Sequence, residues 1–90
     1  MAVFFEPGAR TRPHIHEATS QVLQVVSGRC VIVIEDDRQV VEAGNFIAVP
    51  PGTWHWHGAT KDGTMCHLSI KLPGRPNWNV PLRNWAEAAD

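Results

Sequence analysis

Four of the five histidines in this 90-residue chain lie in two pairs, each with a single residue between its members. The first pair is His14 and His16, and the second is His55 and His57. Side chains alternate faces along a β-strand, so residues two apart point the same way. Two imidazoles on one face can occupy adjacent corners of the coordination sphere of a cation. Neutral imidazoles are costly to bury without a partner, so this clustering favours a metal site over isolated surface histidines.

The fifth histidine, His67, lies beyond the turn "KDG" (residues 61–63) from His57. A three-residue loop with Gly63 in the left-handed conformation would pair His57 with His67 and turn both inward. A two-residue Asp-Gly turn would pair His67 with Gly58 and turn it outward. The sequence leaves both registers open. We prefer the three-residue loop, because it explains the position of His67.

That loop also predicts an apolar outer face. The residues that it places there together are Trp54, Trp56, Cys66, Leu68 and Ile70. A small domain that exposes such a face needs a cover, and a second subunit is the simplest one. The sequence therefore predicts a homodimer in which the tryptophans serve packing or dimer contact.

The elements that must position these residues are short runs rich in Val, Ile, Phe and Trp, separated by Gly, Pro and Asp. This pattern is typical of an all-β sandwich or small barrel. We expect one domain over residues 1–90, with its core at about 3–72 and a Pro-rich tail at 73–90. A helical turn is expected near Trp85–Ala89. The predicted strands are Val3–Glu6, Arg12–His16, Gln21–Val26, Arg29–Glu35, Arg38–Glu42, Asn45–Val49, Trp54–Thr60 and Thr64–Lys71.

Composition excludes several function classes. Eight Lys and Arg oppose nine Asp and Glu without a charge block, so a nucleic-acid surface is not indicated. No apolar run is long enough to span a membrane, and the N-terminus lacks the features of a signal peptide. Cys30 and Cys66 lack the spacing of a metal motif and are interpreted as small hydrophobes. The expected location is the cytoplasm, and the expected partner is a small molecule.

The doublets lie in two longer patterns that resemble the motifs of the cupin superfamily. The first is "GARTRPHIHEATSQVLQVVSG", in which Gly8, His14, His16 and Gly28 match and Gln21 stands where the family usually has Glu. The second is "GNFIAVPPGTWHWHGA". There Gly44, Pro50, Gly52 and His55 match, and Ala59 replaces the usual Asn. The match extends from Gly8 to about Leu72.

This resemblance implies a small antiparallel double-stranded β-helix, a jelly-roll-like barrel. It implies one divalent transition metal held by His14, His16, Gln21 and His55. Manganese is the favoured ion, with iron, nickel, zinc or cobalt also compatible. Because Gln21 is neutral where the family has Glu, the full charge of the ion is left uncompensated. We expect a stronger Lewis acid that attracts anionic ligands.

The stretch "HWHGATKDGTMCHLSI" resembles a narrower cupin group, which includes bacterial hydroxynitrile lyases and carboxymuconolactone-decarboxylase-associated proteins. The resemblance implies that His57 and His67 lie beside the metal and that His67 transfers a proton. The expected function is metal-assisted acid–base chemistry on a small polar or anionic organic substrate. A metal-dependent dioxygenase and a non-catalytic binding cupin with a structural metal are the alternatives.

Relatives usually carry further strands before the segment "FEPGART". That segment begins at Phe5 here, so only Met1–Phe4 stand before it. The expectation is therefore either a minimal cupin or one whose sheets are completed by a partner subunit.

Overall fold

Seven antiparallel strands in two sheets make up the fold of this chain, in a computed structural model that describes residues 1–72 and 74–87. The strands are β1 (Ala2–Phe5), β2 (Gln21–Ser27), β3 (Arg29–Ile34), β4 (Asp37–Glu42), β5 (Phe46–Val49), β6 (His55–Ala59) and β7 (Met65–Ile70). The four-stranded sheet has the order β1-β7-β2-β5, and the three-stranded sheet has the order β4-β3-β6. The prediction of an all-β, antiparallel double-stranded β-helix is confirmed.

Among the described residues of the tail, 74–87, the one helical element is a 3₁₀ turn at Trp85–Glu87. It begins where the helical turn was predicted, and the remainder of that predicted turn lies outside the described residues. Within 1–72 and 74–87, no helix has the length and apolar character needed to cross a membrane.

The core lies between the two sheets, where alternate residues of each strand point inward. Leu23 and Val25 of β2 and Met65 of β7 meet Cys30 and Ile32 of β3, and all five are buried. Neither cysteine forms a disulfide. Apolar burial of this kind drives the sheets together and closes one end of the barrel.

The predicted hairpin between β6 and β7 is wrong. His57 of β6 pairs with Ile32 of β3, whereas His67 of β7 pairs with Val3 and Val25 in the other sheet. The chain crosses from one sheet to the other at residues 60–64, and Gly63 is not left-handed there. His57 and His67 nevertheless both point inward, because each occupies the inner parity of its own strand. The prediction that His57 and His67 both point inward is therefore correct, but the reason is the parity of each residue on its own strand and not a hairpin.

The segment that carries the first histidine doublet follows β6 without forming a continuous strand. Isolated bridges join Arg10 to Gly58 and His14 to His55. A Cβ atom at Gly58 would lie 2.3 Å from the carbonyl oxygen of Ala9, far inside van der Waals contact. Glycine at this position therefore permits the close approach that brings the two doublets side by side.

The C-terminal tail covers the outward tryptophans of β6. Trp54 and Trp56 are buried, and Trp54 Nε1 donates a hydrogen bond to the Pro81 carbonyl oxygen at 2.6 Å. The tail is also tied to the first doublet segment, because Trp85 Nε1 donates to the Thr11 carbonyl oxygen at 2.8 Å. The prediction that the tryptophans share one open face with the outer residues of β7 is wrong, since they lie on different sheets. Their cover comes from this chain itself.

Candidate metal centre

Three of the four predicted ligand residues form one cluster of imidazole rings at the end of the barrel. The ring centroids of His14 and His55 lie 4.3 Å apart, and His16 lies 5.0 Å from the first and 5.4 Å from the second. The backbone sets this arrangement, because His14 and His55 exchange two hydrogen bonds of 3.0 and 3.1 Å. All three side chains are buried.

Backbone carbonyls fix the orientation of two of these rings. Nδ1 of His14 lies 2.8 Å from the Arg12 carbonyl oxygen, and Nδ1 of His55 lies 3.0 Å from that of Thr53. A carbonyl oxygen only accepts, so each Nδ1 carries the proton and each Nε2 keeps its lone pair. Histidine ligands of metals are commonly held in this way by an outer hydrogen-bond partner.

Gln21 supplies an oxygen to the same cluster. Its Nε2 donates to Ser69 Oγ at 2.6 Å, which turns its Oε1 toward His55 Nε2 at 3.3 Å. The carbonyl oxygen and the unprotonated nitrogen therefore face each other with two lone pairs and no proton between them. A cation relieves that repulsion. His16 Nε2 is also buried without a hydrogen-bond partner among the described residues. The donor set of His14, His16, His55 and Gln21 fits a divalent transition metal.

His57 is close enough to His14 and His55 to be an alternative third histidine ligand. Candidate ligand atoms of His14, His55 and His57 all lie within 4.8 Å of one another. The ring centroid of His57 is nevertheless 6.0 Å from that of His14 and 6.1 Å from that of His55, farther than His16 from either. We favour His16 as the ligand, because the separations of the ring centroids bring it nearer to the centre of the cluster.

His57 and His67 form a second, adjoining pair. Their ring centroids are 4.9 Å apart with an interplanar angle of 80°, and Phe5 packs against both rings. Both side chains are buried. Within the described part of the chain, Nδ1 of His57 and both ring nitrogens of His67 have no hydrogen-bond partner. Buried polar atoms are normally satisfied, so unpaired nitrogens indicate groups kept available for a ligand.

A cavity of about 370 Å³ opens onto this second pair. This volume is at the small end of the range for ligand pockets. Thr11 lies in its wall, and its Oγ1 also accepts a hydrogen bond from the His57 backbone N–H at 3.2 Å. The other lining residues are Met1, Val3, Phe5, Gln21, His57, His67, Ser69 and Lys71. Gln21 thus belongs to both the histidine cluster and the cavity wall, which joins the candidate metal centre to a space for a small molecule.

The residues of the site that were not identified from the sequence include Phe5, Ser69, Lys71 and Trp78. Ser69 orients the Gln21 amide, and Lys71 lines the cavity. Both follow His67 at spacings of two and four, so strand parity could have indicated them. Trp78 stacks on His14 with centroids 4.4 Å apart. It lies in the irregular tail, where no local pattern predicts a tertiary contact.

Burial keeps all five histidines in the neutral form that metal ligation and base catalysis need. Desolvation is the largest cause in each case. It lowers the pKa of His55 to about 4 and that of His57 well below its usual value, and neighbouring histidines lower both further. The pKa values of His14, His16 and His67 are lowered as well.

The metal-free protein should therefore lose stability in mild acid. The pKa of His55 falls from 6.5 to about 4 on folding, so between these values the unfolded chain binds a proton that the folded chain does not. Stability is complete above pH 6.5 and declines as the pH falls toward 4, by about 3 kcal/mol for this group alone. Urea unfolding between pH 6.5 and 5 checks this, before carboxylates titrate. A midpoint that stays constant over that window would contradict it.

Comparisons with known proteins agree with this geometry. Residues 1–71 match the cupin domain family. Over 72 residues the chain is 40% identical to an (R)-mandelonitrile lyase of Granulicella tundricola, a match that covers 78% of this chain and 53% of the relative. The chain thus spans about half the length of that curated relative.

Solved structures share the fold. A cupin-like protein of Thermotoga maritima superposes with a TM-score of 0.82 at 29% identity, covering 99% of this chain and 71% of that one. The KdgF protein of a Halomonas species gives 0.74 at 27% identity, covering 82% and 66%. With the profile match, the two-sheet fold and the clustered histidines in agreement, this chain belongs to the cupin family.

Proposed function

We propose that this protein is a metal-dependent cupin enzyme that performs lyase-like acid–base chemistry on a small polar or anionic organic molecule. The observation that carries the proposal is the arrangement of two adjoining sets of buried groups. The rings of His14, His16 and His55 lie close together with the Gln21 oxygen beside them, and His57 and His67, with three unpartnered ring nitrogens between them, stand next to this cluster on the wall of a cavity. A metal that only stabilised the fold would not require the unpartnered nitrogens of His57 and His67 beside it.

The division of roles follows from position. When bound to His14, His16, Gln21 and His55, a divalent ion supplies a Lewis acid that polarises a substrate oxygen. His67, neutral and with both ring nitrogens unpaired, accepts or donates the substrate proton at one of them. His57 lies beside His67, and its own pKa is lowered by burial and by the neighbouring histidines, which keeps its ring neutral. Phe5 packs against both rings.

The named activity of one relative supports the lyase assignment over redox chemistry. The Granulicella protein is a mandelonitrile lyase, and its similarity to this chain spans the histidine-bearing strands. This chain covers only about half of that protein. We therefore propose the reaction class of the relative for this chain, but not its substrate. Manganese is proposed as the resident ion from the resemblance to the cupin hydroxynitrile lyases. The carbonyl oxygen of Gln21 suits it, while the three imidazoles would also suit iron, nickel or zinc. A cytoplasmic location stays a prediction from the sequence.

Elemental analysis of the purified protein, combined with an activity assay, tests the proposal. We expect about one divalent ion per chain. With mandelonitrile as a probe of the reaction class, and not as the assigned substrate, we expect benzaldehyde release that stops after treatment with a chelator and resumes with Mn²⁺. Oxygen uptake with diol or thiol substrates would favour the dioxygenase instead. Tight metal binding without turnover in either assay would favour a non-catalytic binding cupin.

A further inference from the structure

Among the described residues that line the cavity, Lys71 is the single Lys, Arg, Asp or Glu, and the ammonium group of Met1 is the other cation. It follows β7 directly and keeps the inner parity of His67 and Ser69, so the three side chains form a row along one wall. His67 lies at the inner end of this row, beside His57. Lys71 lies at the other end, where it also borders a surface pocket with His16, Glu17 and Arg75.

The charge of Lys71 has no counterion in the cavity. Among residues 1–72 and 74–87, the cavity lining contains no carboxylate. Lys71 Nζ donates to the Gly74 carbonyl oxygen at 3.1 Å, which uses one of its three donors on a neutral acceptor. The donor set for the metal is also neutral. The cavity therefore offers positive charge at its mouth and at its metal, and a neutral ligand would leave both uncompensated.

We propose that Lys71 binds the carboxylate of a small organic acid while the reacting end of that acid lies at the metal and His67. This inference rests on the proposed function and narrows its substrate class. Three residues lie between His67 and Lys71, so their Cα atoms are four strand rises, or about 13 Å, apart. The long lysine stem shortens the gap, so an acid of a few carbons fits. A hydroxy acid matches this site better than the neutral nitrile named for the relative.

Calorimetric binding of mandelate and of its neutral analogue mandelamide tests the assignment on Zn²⁺-loaded and metal-free protein. Wild-type protein should bind mandelate more tightly than mandelamide. In Lys71→Met, mandelate affinity should fall about 10- to 100-fold, the range for a charged hydrogen bond, while mandelamide affinity stays constant. Lys71→Arg should keep mandelate affinity within a few-fold. Circular dichroism confirms that each variant is folded.

Lys61→Met is the matched control, because it removes the same charge from the turn at residues 61–63, outside the cavity lining. It should bind mandelate as wild type does. Equal mandelate affinity in Lys71→Met and wild type would overturn the subsite, even if the protein proves to be an active enzyme. Selective loss of mandelate binding in Lys71→Met would support it, even if no turnover is found. The two proposals can thus fail separately.

Discussion

His55→Ala should abolish tight metal binding. His55 is the central residue of the cluster, since its ring lies near His14, His16 and the Gln21 oxygen together. Loss of an outer-shell partner alone costs about 10- to 100-fold in metal affinity, so removal of a ligand should cost more. In wild type, Mn²⁺ at 100 times its Kd should add about 2.7 kcal/mol to the free energy of unfolding. In His55→Ala this increment should vanish, as measured by unfolding with and without the metal.

His57→Ala is the informative control for that experiment. It lies two residues later on the same face of β6, and it belongs to the alternative group of His14, His55 and His57. If His16 is the third histidine ligand, His57→Ala should retain the metal-dependent increment and His16→Ala should lose most of it. The reverse result would move the ion toward the cavity and make His57 a ligand.

The inward direction of the histidines could be predicted because it depends only on strand parity. His14 with His16 and His55 with His57 are two residues apart, and an alternation of faces needs no knowledge of the rest of the chain. The glycine and proline spacings of the two motifs likewise indicated the fold. These signals are local in the sequence. In the structure, the two histidines of each pair lie close together, as their spacing predicts.

The partner of each strand could not be predicted in the same way. Residues 61–63 have the composition of a hairpin turn, yet β6 pairs with β3 and β7 pairs with β1 and β2. Whether a turn closes a hairpin or crosses between sheets is decided by which distant strand buries the same apolar side chains. The spacing of residues within the turn does not indicate whether a hairpin or a crossover between the sheets forms.

The tertiary contacts of the C-terminal tail were even less predictable from the sequence. Residues 76–87 carry no periodic pattern, so Trp78 and Trp85 could not be placed. In the structure, Asn77 exchanges backbone hydrogen bonds of 3.1 and 2.8 Å with Ile15, and Trp78 stacks on His14. The tail lies beyond the matched family domain and yet contacts the segment that carries the first two candidate ligands. The geometry of the candidate metal centre therefore depends on a part of the chain that the motifs do not include.

His67→Ala should leave metal binding intact and remove most of the activity. His67 lies on β7, in the other sheet from β6, and its ring contacts His57, which lies farther from His14 and His55 than His16 does. Loss of a positioned general acid or base costs about 10²- to 10⁴-fold in rate. Benzaldehyde release from mandelonitrile at saturating Mn²⁺ measures that loss, and metal content measured on the same sample shows whether the ion is retained.

Ser69→Ala should give the opposite pattern, since it frees the Gln21 amide and leaves His67 in place. We expect metal affinity to fall about 10-fold, with the rate restored when Mn²⁺ is raised to saturation. A His67→Ala protein that loses its metal would assign this histidine to the coordination sphere. One that keeps its metal and its rate would exclude it from proton transfer, and the chemical step would then have to be carried by His57, the other unpaired imidazole of the cavity.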